Sequence, residues 1–129
     1  MTGKTLDGSI TFTSQYDGHE ANTASGEMPV QPGILNPFGT VHAGALIWFA
    51  DVVATRLVLG GTSASAGMTG FPLAINLTAN LLTNTKDGTV TARAEYVKRG
   101  RRLSVVRTRV MRQDGRVMIE VTTSHVPSE

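Results

Sequence analysis

One segment restricts the fold of this 129-residue chain more than any other: the nearly apolar run Val41–Leu59, closed by Gly60-Gly61. It is too long for an ordinary strand and ends in a helix-stopping glycine pair, so the sequence predicts a helix there. Its large apolar residues, Leu46, Ile47, Trp48, Phe49, Val52, Val53, Leu57 and Val58, do not fall on one stripe. A helix apolar on every side has to be enclosed by other structure. The run also contains His42, Asp51 and Arg56 and is of marginal length for a bilayer span, which argues against a membrane helix.

The rest of the chain supplies the enclosure. After a loop of small residues over 62–70, the apolar period changes to two. Leu73, Ile75, Leu77, Ala79 and Leu81 alternate with Ala74, Asn76, Thr78, Asn80 and Leu82. Val90, Ala92, Ala94 and Tyr96 follow, then Leu103–Arg112, then Val117, Ile119, Val121 and Thr123. Glycine-containing turns (Lys86-Asp87-Gly88, Lys98-Arg99-Gly100-Arg101, Gln113-Asp114-Gly115) separate these runs, so four strands in an antiparallel meander are predicted. Ahead of the helix, Ser9–Thr13 alternates like a short strand. A second strand falls around Glu27–Gln31, with Pro29 placing it at an edge or a bulge. A sheet of this kind covers a long apolar helix by curling around it and leaves any remainder to a partner subunit. The expectation is one α+β domain over residues 1–129.

Composition narrows the chemistry. Hydrophobic residues at 40% and charged residues at 17% describe a globular chain long enough to bury a core without staples. With no cysteine there is no disulfide framework, thiolate metal cluster or cysteine nucleophile. The three histidines (His19, His42, His125) lack metal-ligand spacing, and neither a G-x-S-x-G elbow nor a phosphate-binding G-x-x-x-x-G-K-[ST] loop occurs. Met1–Tyr16 has no secretory signal, which leaves a cytoplasmic protein as the expectation. Charge is uneven: residues 1–85 carry −3 and residues 86–129 carry +5. A basic half suits an anionic partner such as a nucleotide, a nucleic acid or a membrane surface, or is simply a solvated strand surface. An aromatic content of 5% gives nucleic-acid binding little support.

Polar residues inside the apolar helix are the candidates for chemistry. Asp51 lies mid-helix between Ala50 and Val52. A buried carboxylate must be paired, hydrogen-bonded or solvated in a cleft. It is a partly exposed carboxylate, an ion-pair partner of Arg56, or a general base or nucleophile in a pocket. His42, at the helix start, reads first as a capping or core histidine bonding to loop carbonyls. Nine residues turn a helix by roughly 900° and advance it ~13 Å, so His42 and Asp51 of one chain face opposite ways. A site using both ends must borrow one of them from a second copy. At His42-Ala43-Gly44 the first-turn N–H groups lack intrahelical acceptors and the side chains are small, which is the makings of an oxyanion hole.

Asn36-Pro37-Phe38-Gly39-Thr40-Val41-His42-Ala43-Gly44-Ala45, followed by Asp51, resembles the signature of the hotdog-fold acyl-CoA thioesterases, in the branch of the phenylacetate-pathway and 4-hydroxybenzoyl-CoA enzymes. The strands at 75–82 and 97–103 are similar too, and the resemblance covers about residues 25–125. It implies a hotdog fold, an antiparallel sheet wrapped around one central helix, and hydrolysis of an acyl-CoA without cofactor or metal. By the same resemblance, Asn36 is the polar loop residue that orients water or thioester, and the Ala43 N–H is the oxyanion donor. Asp51 is then the nucleophile or general base, and Thr55 holds its second oxygen. His42-Ala43-Gly44 departs from the usual His-Gly-Gly, at little cost because the backbone donates. The resemblance places Lys98, Arg99, Gly100, Arg101 and Arg102 near the CoA phosphates. It also implies a homodimer with antiparallel helices and shared active sites, assembling further into a tetramer. Neither nucleic acid nor membrane is expected as a partner. The alternatives are a non-catalytic acyl-CoA-binding domain and a hotdog hydratase or dehydratase of enoyl thioesters. The acyl group depends on how Trp48, Phe38, Met68 and Phe71 pack, which the sequence does not give.

Overall fold

A computed structural model describes residues 9–129. Strands β1 (Thr13–Tyr16) and β2 (Thr23–Pro29) precede a short 3₁₀ turn (Pro32–Ile34) and the helix α1 (Ala43–Leu59); β3 (Pro72–Leu81), β4 (Thr89–Lys98), β5 (Ser104–Met111) and β6 (Val117–Pro127) follow. The six strands form one sheet in the order β1-β2-β4-β5-β6-β3, antiparallel throughout. The helix touches every strand of it.

The sheet covers one face of the helix. Ala45, Leu46, Phe49, Ala50, Val53, Ala54 and Leu57 are buried against Met28, Val90, Val106, Val110, Met118 and Val121. Close approach on the β2 side requires Gly26: a Cβ there would lie 2.9 Å from Val53 Cγ2 and 3.0 Å from Phe49 Cε1. The opposite helix face, with Ile47, Trp48, Asp51, Val52, Thr55 and Arg56, is only partly buried. Enclosure by this chain alone is therefore incomplete.

Three local expectations are corrected. Ser9–Thr13 is not a strand; the first strand begins at Thr13. Upstream, the backbone of Thr11 bonds to a side chain instead of a neighbouring strand: its N–H donates to Gln31 Oε1 (3.0 Å) and its carbonyl accepts from Gln31 Nε2 (2.8 Å). Ile10 is buried in the core, and Phe12 packs edge-on against Trp48 and Phe49. Second, β2 is an inner strand. Pro29 is accommodated because it is the last residue of β2, where only β4 pairs with it and β1 no longer reaches.

Third, the meander comprises β4, β5 and β6 only. β3 pairs with β6 at the far edge, with a bulge at Ile75. The stretch after β3 leads away from that edge instead of turning back beside it. Leu82 and Thr83 donate to the Met118 carbonyl, and Asn84 clamps the backbone of Val41 from both sides (N–H to Oδ1 3.1 Å, Nδ2 to carbonyl 2.9 Å). Val30 then donates to the Gly88 carbonyl, which delivers the chain to β4 beside β2. Placed at the edge, β3 leaves Leu73, Ile75, Leu77 and Leu81 between 40% and 60% exposed. No helix among the described residues is long and apolar enough to cross a membrane.

Candidate active site

The uncovered helix face and strand β3 border a groove with Asp51 at its middle. Towards the helix N-terminus a cavity of about 480 Å³ is lined by Gly44, Ile47, Trp48, Asp51, Ala74 and Leu77, among others. Towards the C-terminus a second of about 410 Å³ is lined by Asp51, Val52, Thr55, Arg56, Phe71, Leu73 and Ala74, among others. Both share Asp51 and Ala74. Trp48 and Phe71 border the groove. Phe38 is 83% exposed at a loop tip, and Met68 takes the Ser65 N–H on its sulfur.

Asp51 is not the partner of Arg56: no ion pair joins them. Its Oδ1 is shut off from solvent and has no hydrogen-bond partner. Burial raises its pKa above the ordinary carboxylate value, and the charge of His125 opposes that rise. A half-buried carboxylate with a free oxygen can act as base or nucleophile. Thr55 borders the same groove, but no Thr55 hydroxyl bond to Asp51 forms in the single chain.

His42 is the helix N-cap. Its Nδ1 accepts the Gly44 N–H at 2.9 Å, which puts the ring proton on Nε2, while its backbone N–H donates to the loop carbonyl of Ile34 at 2.7 Å. A Cβ on residue 44 would sit 3.1 Å from that Nδ1, so a larger residue there would crowd the cap. With Gly44 engaged, and Ala45 and Leu46 donating to the His42 carbonyl, the Ala43 N–H is left without an acceptor among the described residues. Of the four N–H groups in the first turn, only that of Ala43 thus stays available to a ligand.

Asn36 shapes its own loop. Its Oδ1 accepts from the N–H groups of Phe38 (2.9 Å) and Thr40 (3.2 Å), and Nδ2 donates to Thr40 Oγ1 (2.7 Å). One Nδ2 proton remains for a ligand. Asn36 does not border the groove that holds Asp51 of the same chain.

The basic turn frames a separate cavity of about 240 Å³, bordered by Tyr96, Arg99, Gly100, Arg101, Arg102 and His125, among others. The Arg99 guanidinium stands 5.5 Å from the Tyr96 ring centroid. Lys98 is exposed and lies outside this cavity. On β5 and just beyond it, Arg107 and Arg109 pair with Glu95, Arg109 also with Glu120, and Arg112 with Asp114. The four cations of the turn have no carboxylate partner among the described residues.

Sequence reasoning missed His125. It is 1% exposed, and its Nε2 hydrogen-bonds Thr123 Oγ1 at 2.7 Å. Burial depresses its imidazole pKa, against the pull of the Pro72 backbone and the Asp51 carboxylate. In register it faces Ala74 of the groove on one side and Ser104 of the basic-turn cavity on the other. The signal was present: one further step of the 117, 119, 121, 123 alternation places residue 125 on the core face.

A single helix wrapped by a six-stranded antiparallel sheet defines a hotdog fold, here with a carboxylate on the open helix face. Residues 31–126 match the acyl-CoA thioesterase N-terminal domain family, and the chain belongs to this family of thioester hydrolases. No curated protein sequence matches it. Similar solved structures include a thioesterase from Haemophilus influenzae, at 20% identity and TM-score 0.76, covering 90% of this chain and 77% of that one. A thioesterase from Staphylococcus aureus is 25% identical with TM-score 0.75, covering 90% and 93%. A hypothetical thioesterase from Streptococcus pneumoniae, solved with coenzyme A, is 21% identical with TM-score 0.74, covering 91% and 88%.

Proposed function

We propose that the chain hydrolyses acyl-CoA thioesters to the free acid and CoA at a site shared by two subunits. The observation that carries this reading is the Asp51 carboxylate, half-buried mid-groove with Oδ1 unpartnered. Asp51 either attacks the thioester carbonyl carbon or takes a proton from the water that does. The carbonyl oxygen gains charge as the tetrahedral adduct forms and is stabilised by the Ala43 N–H at the positive end of a helix. Collapse of the adduct breaks the C–S bond and expels CoA as thiolate; where Asp51 is the nucleophile, water then cleaves the acyl–Asp51 anhydride to the free acid and the carboxylate. Asn36 orients the water or thioester with its remaining amide proton, and Thr55 supports the carboxylate once substrate is bound. The reaction draws on no cofactor, since CoA is part of the substrate.

Helix geometry supports sharing. Ala43 and Asp51 are eight residues apart, about 12 Å along one axis, too far to act on one carbonyl. Two antiparallel helices about 8–10 Å apart bring one N-terminus beside the other's middle. The open helix face and the exposed apolar edge strand β3 are the surfaces such a dimer covers. The four unpaired cations of the turn suit the CoA phosphates.

The test is a panel of acyl-CoAs followed with a thiol reagent. Free CoA release is expected. Water addition to an enoyl-CoA without CoA release would favour a hydratase, and binding without turnover would favour a sensor. The hydratase reading has a structural obstacle: His42 is engaged as a cap, and His125 borders the basic-turn cavity instead of the groove.

A further inference from the structure

Arg56 lies five residues beyond Asp51 and borders the C-terminal half of the groove. Its Nε is shut off from solvent with no hydrogen-bond partner, and the guanidinium forms no ion pair among the described residues. Asp51 bounds the same cavity, yet no ion pair joins it to Arg56. By contrast, Arg107, Arg109 and Arg112 each meet a carboxylate. The walls around Arg56 are largely apolar: Val52, Leu59, Ala64, Phe71 and Leu73. A guanidinium offers five donors, and leaving one partly buried without an acceptor is costly. A cavity of about 410 Å³ falls within the size of ligand pockets, about 300–1,000 Å³.

An apolar wall with one unpaired cation beyond the reacting centre complements a chain that is apolar along its length and anionic at its tip. We propose that the acyl group hydrolysed here carries a second carboxylate at its far end, held by Arg56: the substrate is the CoA half-thioester of a dicarboxylic acid. This rests on the thioesterase reading above. A forked guanidinium–carboxylate contact supplies the discrimination. The other anion source on the substrate, the CoA phosphates, has its own cations in the basic turn across Pro72.

The experiment compares kcat/KM for paired thioesters of equal chain length: succinyl-, glutaryl-, adipoyl- and pimeloyl-CoA against butyryl-, valeryl-, hexanoyl- and heptanoyl-CoA. Wild type is expected to favour the dicarboxylic member of at least one pair by about tenfold or more. In Arg56→Met that ratio should fall about 10- to 100-fold, mainly through KM, with Arg56→Lys keeping part of it. Circular dichroism verifies that the variants fold. The preference should persist with pantetheine thioesters, which lack the nucleotide. Equal wild-type rates within every pair overturn the proposal. So does a loss in Arg56→Met that is the same for both members and disappears on pantetheine thioesters, because Arg56 would then hold a CoA phosphate. If no thioester is turned over, the hydrolase reading falls. Calorimetric binding of the same pairs to wild type and Arg56→Met then decides the role of Arg56 by the same ratio.

Discussion

Asp51 ties the site to the stability of the fold. Burial raises its pKa, so the unfolded chain ionises this carboxyl at lower pH than the folded protein does. Its contribution to stability is therefore full below the unfolded value and is lost as pH rises through the folded one. At neutral pH the carboxylate works against folding. Asp51→Asn should melt at a higher temperature than wild type near pH 7, with the gap closing as pH falls until wild-type Asp51 is protonated; thermal melts across pH check this. The same variant should lose hydrolysis by about 10²–10⁴-fold, since the amide keeps the shape and cannot act as base or nucleophile. Near-wild-type turnover would remove Asp51 from the mechanism. At this scale, Asp51, His42, Ala43 and Gly44 were readable because a polar or small residue in an apolar helix stands out. The division of labour among them was not. Which N–H His42 caps, and hence that Ala43 alone stays free, depends on loop conformation that no spacing encodes.

Among the elements, the hairpin between β4 and β5 makes the sharpest claim. Residue 100 must be glycine, because a Cβ would run into the Leu103 carbonyl, and the turn it permits holds Arg99, Arg101 and Arg102 around one cavity. Changing Arg101 and Arg102 to Ala should raise KM for CoA esters several-fold more than KM for pantetheine thioesters of the same acyl group. An equal rise on both would make the turn a solvated hairpin. The helix and the strands β4 to β6 were located by period alone, since alternation and glycine turns mark them directly. The place of β3 was not legible. Alternation reports which side chains share a face, not which strand lies alongside, and the side chains of Leu73, Ile75 and Leu77 are left largely open. Ser9–Thr13 misled for a related reason: its apolar residues plug the core while the Gln31 side chain takes the hydrogen bonds a strand would have made.

For the whole molecule, the shared site is testable by mixing. Asp51→Asn and Asn36→Ala are each expected to be nearly inactive. If each site takes Asp51 from one subunit and Asn36 from the other, a mixed dimer has one site with both residues and one with neither. Co-refolded mixtures should then recover part of the activity that neither parent shows. Verified mixed dimers that recover nothing would place both residues in one chain's site. The sheet itself says where such growth ends. Its two borders are unlike: β3 is ten residues long and leucine-rich, whereas β1 is four residues of Thr, Ser, Gln and Tyr. The proposed two-fold pairing along β3 would use up both adhesive borders at once and leave only the short polar ones outermost. The ribbon so formed terminates itself, and a protein with a naked, greasy strand need not become a fibre.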